Sequence, residues 1–206
     1  MSDLKNLDYL LPKTKELLLT LTKDCFFLKN YVLVGGSALS LHLGHRKSED
    51  LDFFTYEDTF SKQEILNYIK NFNQKEIINQ TNEQIDVLLN GVKVTFFNAK
   101  WFFLKPHEIK AFNLASLEQI AAMKVNVLFL RAKYRDYYDL YFLAKEAMSL
   151  REIFRSSEKI VEGVTYKLFL TALLYVDDIE DDTIDYLEPK EKITKKTIRD
   201  FFEKRV

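Results

Sequence analysis

Cysteine is almost missing from this chain: Cys25 is the only one among 206 residues. That excludes a disulfide framework and a cysteine metal site, and it fits a reduced, cytoplasmic setting. Histidine is scarce too. His42 and His45 lie three positions apart, His107 is distant from both, and no zinc set results. No run approaches the roughly 18 apolar residues of a membrane-spanning helix. The first residues, MSDLKNLDYLLPKTKELLL, carry charges throughout where a secretory signal would have an apolar stretch, so no membrane association is expected. An excess of charge of one sign is also lacking. Thirty Lys and Arg against 31 Asp and Glu give a net charge of −1, which excludes a globally basic nucleic-acid carrier and leaves room only for local basic patches.

What the chain does have is length enough for a real core, in one large domain or two small ones. It also has many aromatics, 17 Phe and 11 Tyr, scattered among Lys, Asn and Ile. They read as core and surface positions, not as a cofactor box.

The chemistry concentrates in residues 31–56, YVLVGGSALSLHLGHRKSEDLDFFTY. An apolar strand (Tyr31 to Val34) meets Gly35-Gly36-Ser37. A short helix from Ala38 to Gly44 follows, then a second strand carrying Asp50 and Asp52. Alternation on a strand points both aspartates one way and Leu51 and Phe53 the other, into a core. Two strand rises separate the carboxylates by roughly 6–7 Å, so they repel unless a cation lies between them. The hard, oxygen-seeking ion that accompanies substrate phosphates is Mg²⁺, with Mn²⁺ as its substitute. Gly35 and Gly36 permit close backbone approach, and Ser37 as N-cap leaves free N–H groups and the positive end of a helix dipole for phosphate. Phosphate at one end and metal at the other imply a nucleotide.

Around this segment, Leu17, Leu18, Leu21, Cys25 and Leu28 predict one helix from Pro12 to Asn30. Ser61 caps a helix over Lys62 to Asn71. Strands are predicted over Glu76–Thr81, Gln84–Leu89 and Val92–Phe97, the last two joined by an Asn90-Gly91 hairpin turn. Residues 101–113, with Pro106 and no clear period, read as a connector. Ser116-Leu-Glu-Gln119 is a capping box. It opens a helical stretch in which Lys124, Arg131, Arg135 and Asp139 share one face if the helix is unbroken, while Lys133 points away. A phosphate clamp and a solvated charged face with an Arg135–Asp139 pair both account for that pattern. Further helices are predicted over 150–154, 166–175 and 194–204. The acids Asp177, Asp178, Glu180, Asp181, Asp182 and Asp185 read as a solvated loop, or as a contact for a basic partner.

Strand, Gly-Gly-Ser, twelve residues, then Asp-Leu-Asp-Phe is the pattern of the polymerase-β-like nucleotidyltransferase superfamily. The fuller wording, GGSALSLHLGHRKSEDLDFF, resembles the AbiEii/AbiGii toxin family of nucleotidyltransferases, found in bacterial abortive-infection and type IV toxin–antitoxin pairs. The resemblance implies an α+β fold, a mixed sheet flanked by helices over residues 1–112, followed by a helical domain over 113–206. It implies that Asp50 and Asp52 hold Mg²⁺ and that Gly35, Gly36 and Ser37 seat the phosphates of a nucleoside triphosphate. A nucleoside monophosphate would then pass to an RNA acceptor, a tRNA 3′ end among the known ones. Lys124, matching a family Ala-x-x-Lys pattern, would contact the phosphates. Asp139, with Asp136 as its competitor, would complete the site. Arg46, Arg131 and Arg135 are further phosphate candidates, His45 shapes the loop before Asp50, and a cognate antitoxin is implied.

The chain departs from the pattern at one place. Where a third acid is common, it reads Lys93-Val94-Thr95, with Asp86 across the hairpin as a substitute. A weaker second metal position, a one-metal enzyme, or a nucleotide- or RNA-binding protein without transfer activity would each follow from that. An enzyme that places the nucleotide on a protein is the other alternative.

Overall fold

In the computed structural model, residues 6–110, 112–179 and 184–205 are described. The chain divides into two compact units. One runs through Leu41 and resumes over Lys47–Ala115; the other joins His42–Arg46 to the chain from Ser116 onward. The sequence placed the division between residues 112 and 113. The segment His42–Arg46, the end of α2 and the residues after it, taken as part of the first domain, is grouped with the second unit.

The first unit is built on a mixed six-stranded sheet. Helix α1 (Pro12–Asp24), with Pro12 in its first turn, buries Leu17, Leu18 and Leu21 and packs on the sheet. It ends sooner than its apolar spacing predicts. Cys25 leaves helical geometry at φ −93°, ψ 89°, and a 3-10 turn covers Phe26–Asn30. The Cys25 thiol is buried there and pushed up to about 12, so it is inert. Strand β1 (Tyr31–Val34) is wholly buried and runs into helix α2 (Gly35–Leu43). Strand β2 (Leu51–Thr55), helix α3 (Lys62–Ile69) and strands β3 (Lys75–Gln80), β4 (Gln84–Leu89), β5 (Val92–Phe97) and β6 (Asn113–Leu114) complete the unit. Ser61 caps α3 through the Glu64 amide. The β4–β5 turn has Asn90 at φ 50° and Gly91 at φ 83°, both left-handed as that hairpin requires.

The strand order is β3-β4-β5-β2-β1-β6. One face of the sheet is core: Leu33, Leu51, Phe53, Ile85, Val87, Val94 and Phe96 are all fully buried. The short strand β6 begins at the last residue of the stretch expected to be a connector. Asn113 explains it, since its Nδ2 donates to the carbonyls of Lys29 (2.8 Å) and Tyr31 (3.1 Å) and stitches the segment to β1.

The second unit is helical: α4 (Leu117–Leu130), α5 (Tyr134–Glu146), α6 (Leu150–Ser157), α7 (Tyr166–Leu174) and α8 (Lys195–Glu203). The Ser116–Gln119 capping box forms as read, and Ser149 with Glu152 forms another on α6. The helix expected to continue past Leu130 is broken. Arg131 sits at φ −150° and Ala132 at φ 24°, and α5 starts afresh with Asp136 accepting the Lys133 amide. Lys124 and Arg131 therefore do not form one face: Lys124 is buried and Arg131 exposed. Asp177 pairs with Arg199 at 2.7 Å, while Glu180, Asp181 and Asp182 of the acidic stretch lie outside the described residues. Among the described residues no helix is long and apolar enough to cross a membrane.

Candidate active site

The first group of site residues follows from sheet register. Val34, the last residue of β1, pairs with Asp52, so the glycine turn that follows Val34 is set beside the Asp52 carboxylate. A Cβ built on Gly35 would lie 2.8 Å from Asp52 Oδ2, and Gly35 has φ +70°. Only a residue without a side chain fits both conditions. The turn also begins the helix, so Ser37 is not its N-cap. It is the third residue of α2, buried, with its hydroxyl donating to the Asp50 carbonyl. That bond fixes the backbone immediately before β2. Pairing begins at Leu51, which leaves Asp50 one position outside the ladder; both Asp50 and Asp52 are half-exposed.

Register also settles what faces Asp52 on its other flank. Asp52 pairs with Thr95 on β5, and Thr95 pairs directly with Asp86 on β4, so the three share the non-core face of the sheet. The sequence placed Asp86 opposite Thr95 only approximately; the pairing is direct. Asp86 is 6% exposed and its oxygens accept from the Thr95 hydroxyl (2.8 Å), Gln84 Nε2 (2.8 and 3.0 Å) and Asn79 Nδ2 (3.2 Å). The Thr95 hydroxyl is thus spent on Asp86. Gln84 and Asn79 were not singled out from sequence, although period-two alternation in Gln-Ile-Asp does place Gln84 on the Asp86 face.

Asp50 and Asp52 are hard oxygen donors of the kind that could hold a divalent ion, and Asp52 Oδ2 lies where a Gly35 side chain would otherwise be. Among the described residues no cluster of three or more His, Cys, Asp or Glu could hold a metal. A two-carboxylate set matches an ion that completes its shell with water and substrate phosphate, the habit of Mg²⁺.

The second group lies within the helical unit and is a buried charge network. Asp139, fully buried, accepts from Arg46 Nε (2.8 Å) and Nη2 (2.9 Å) and from His45 Nε2 (2.7 Å), and Lys124 Nζ lies 2.6 Å away. Lys124 also donates to Asp136 at 2.9 Å. Burial alone would raise the Asp139 pKa, but the Arg46 and Lys124 charges outweigh it and hold the carboxyl well below its usual range. Burial likewise would lower Lys124, and the carboxylates of Asp136 and Asp139 reverse this to an increase. His45 goes the other way: burial wins, and the ring is held neutral. Its Nδ1 has no partner among the described residues, so Nε2 carries the proton given to Asp139. Asp139 was expected to face an acceptor hydroxyl, with Arg135 as its helical neighbour. In this structure it faces Arg46, His45 and Lys124 instead, while Arg135 is half-exposed. Lys145, in the last turn of α5, pairs with Glu191 at the surface at 2.6 Å.

The mixed sheet flanked by helices is a fold that this chain shares with solved structures. JHP933 from Helicobacter pylori has 21% identity and a TM-score of 0.50, over 91% of this chain and 89% of that one. A second H. pylori structure, whose description proposes a nucleotidyltransferase, has 21% identity and a TM-score of 0.52, over 96% and 91%. At that identity the likeness shows the fold alone. The family described as nucleotidyl transferase AbiEii toxin, type IV toxin–antitoxin system, matches residues 17–98 and 94–191, and the chain belongs to it. Aquifex aeolicus aq_aa25, described as uncharacterized, is 28% identical over 184 residues, 84% of this chain and 89% of its own length.

Proposed function

We propose that the chain transfers a nucleoside monophosphate from a nucleoside triphosphate to an RNA acceptor, tRNA-like in kind, in a Mg²⁺-dependent reaction in the cytoplasm. What supports the reading is the closure of the Gly35 turn on Asp52, which brings the backbone at the start of α2 beside that carboxylate. An acceptor hydroxyl attacks the α-phosphorus, a new P–O bond forms, and pyrophosphate leaves on the opposite side. Gly36 and the first N–H groups of α2 seat the outgoing phosphates, and Ser37 holds the Asp50 backbone in place. Asp50 and Asp52 would hold the metal, which when bound neutralises charge developing on the phosphoryl oxygens.

Lys124 is held by Asp136 and Asp139 within the helical unit. Asp139 acts through Lys124 and Arg46 as a positioning residue, because its oxygens are already taken by four N–H groups. As a family member the chain would work as the toxin of a pair that includes an antitoxin, in abortive infection.

The test is incubation with each α-labelled nucleoside triphosphate, Mg²⁺ and total cellular RNA, beside a folded Asp52→Ala chain. Label on an RNA band that disappears in the variant supports the transferase and names its base. Nucleotide binding without label on any species favours the binding-only reading, to which the commitment of Thr95 to Asp86 already lends weight. Label on protein in the absence of RNA marks a protein-modifying enzyme.

A further inference from the structure

The sheet row beyond Asp52 is aromatic. Phe54 lies two positions along β2, on the Asp52 face, and pairs with Phe97, which lies two positions beyond Thr95 on β5. Their ring centroids are 5.0 Å apart, and Trp101 adds a third ring 5.8 Å from Phe54, with Phe103 a further 5.5 Å from Trp101. All four are half-exposed, and the adjoining Phe102 is 69% exposed. This wet aromatic surface is on the non-core face of the sheet, whereas Phe53 and Phe96 fill the core face.

A built turn puts Trp101 there. Lys100 takes a left-handed φ of +53°, an expense for a residue with a side chain, and it is held by its amide donating to Thr55 Oγ1 at 3.1 Å. Thr55 Oγ1 in turn donates to Asn98 Oδ1 at 3.2 Å, and the Trp101 amide donates to the Thr55 carbonyl at 3.3 Å. Cations flank the rings. Lys105 Nζ stands 5.3 Å from the Phe102 centroid, and Lys100 and Lys105 pair with Asp58 (3.3 Å) and Glu57 (2.6 Å) through exposed contacts, which are weak in water.

Position along the strand selects the occupant. The Gly35 turn adjoins Asp52 on the Leu51 side, and Phe54 lies on the other. If outgoing phosphates sit at the glycine turn, as the proposed transfer has it, in-line attack brings the acceptor from the aromatic side. We propose that Phe54, Phe97 and Trp101 form the stacking platform for an unpaired base at the end of a single-stranded RNA acceptor. Rings take a base by its face whatever its identity, and the lysines take the backbone. The proposal rests on the transferase reading and names the surface on which that reaction receives its acceptor.

Trp101 is the only tryptophan in the chain, so its fluorescence reports the site directly. The experiment titrates the full chain with a single-stranded RNA oligonucleotide, the same RNA as a blunt duplex, polyphosphate, and each nucleoside triphosphate with Mg²⁺. Saturable quenching by the single strand, and not by duplex or polyphosphate, is the expected result. Phe97→Ala should weaken that binding roughly five- to a hundred-fold, and Phe97→Tyr should retain it. Should Phe97→Ala fail to fold, Trp101→Leu with affinity read from labelled RNA gives the same comparison. Unchanged affinity in the folded variants, or quenching by nucleoside triphosphate alone, overturns the platform. Transfer activity with an unaltered KM for RNA in Phe97→Ala removes the platform and leaves the transferase standing. Quenching as expected in a chain that labels nothing does the reverse.

Discussion

Asp52 and Gly35 occupy each other's space: the carboxylate oxygen stands 2.8 Å from where a Cβ on Gly35 would be. The contact exists because Val34 and Asp52 are register partners on antiparallel strands, and because the chain turns at φ +70° directly after Val34. Gly35→Ala therefore meets two penalties, left-handed strain of about 1–2 kcal/mol and displacement of the Asp52 carboxylate. Thermal unfolding should fall by a few degrees, roughly 2–4 °C for each kcal/mol lost in a chain of this size. Transfer should fall much further than stability. An Ala variant with full turnover would mean that Asp52 need not hold this position.

Removing Asp139 leaves Lys124 with Asp136 and takes a bidentate carboxylate from Arg46. Asp139→Ala leaves Arg46 and Lys124 buried beside a cavity, and breaking such a pair from one side costs about 3–5 kcal/mol. Denaturant unfolding measures this directly. A loss below about 1 kcal/mol would show that water reaches the network in solution.

The same network sets an acid limit. The pKa values of Asp139 and Asp136 are lowered on folding, so their contribution is fully present above the unfolded carboxylate value near 3.8 and is lost as pH falls through the folded values. His45 acts earlier. Its folded pKa is below 6.5, so the unfolded chain binds the extra proton first, and stability declines as pH drops below 6.5 toward the folded value. His45→Gln should flatten that first decline, whose slope is at most about 1.4 kcal/mol per pH unit. Unfolding curves between neutral and mildly acidic pH, wild type against variant, give the answer.

Thr95 and Asp86 make a matched pair, and restoring an acid at Thr95 would set two carboxylates in hydrogen-bonding range. Thr95→Asp should lower stability by about 1–3 kcal/mol in a chelator, since Asp86 loses a donor and gains a like charge. Added Mg²⁺ should recover part of the loss. The double change Thr95→Asp, Asp86→Thr should recover most of it without metal, because the hydroxyl–carboxylate contact is then re-formed with the partners exchanged.

Much of this was readable from local pattern. Strands β4 and β5, their Asn90-Gly91 turn and the Ser116 capping box were legible to the residue because each depends on neighbours a few positions apart, where periodicity and turn chemistry decide the outcome. The Gly-Gly-Ser and Asp-Leu-Asp segments identified the family for the same reason. Three features could not be read this way. The end of α1 at Cys25 and the break at Arg131 fall where the sequence has no proline or glycine to mark them, and the short strand β6 depends on long-range partners, Asn113 bonding back to Lys29 and Tyr31.

The sequence by itself picked out the candidate residues: Asp50 and Asp52, the glycine turn before α2, and Lys124, Asp136 and Asp139 farther along the chain. Tertiary structure decided what each of them faces. Asp139 and Lys124 neutralise one another, because buried charge requires a partner and Arg46 and His45 are brought to the same place. Asp86 meets Thr95 across the local Asn90-Gly91 hairpin, whereas Asp52 meets Thr95 and Phe54 meets Phe97 because sheet register joins segments far apart in the chain, and no local pattern specifies that register.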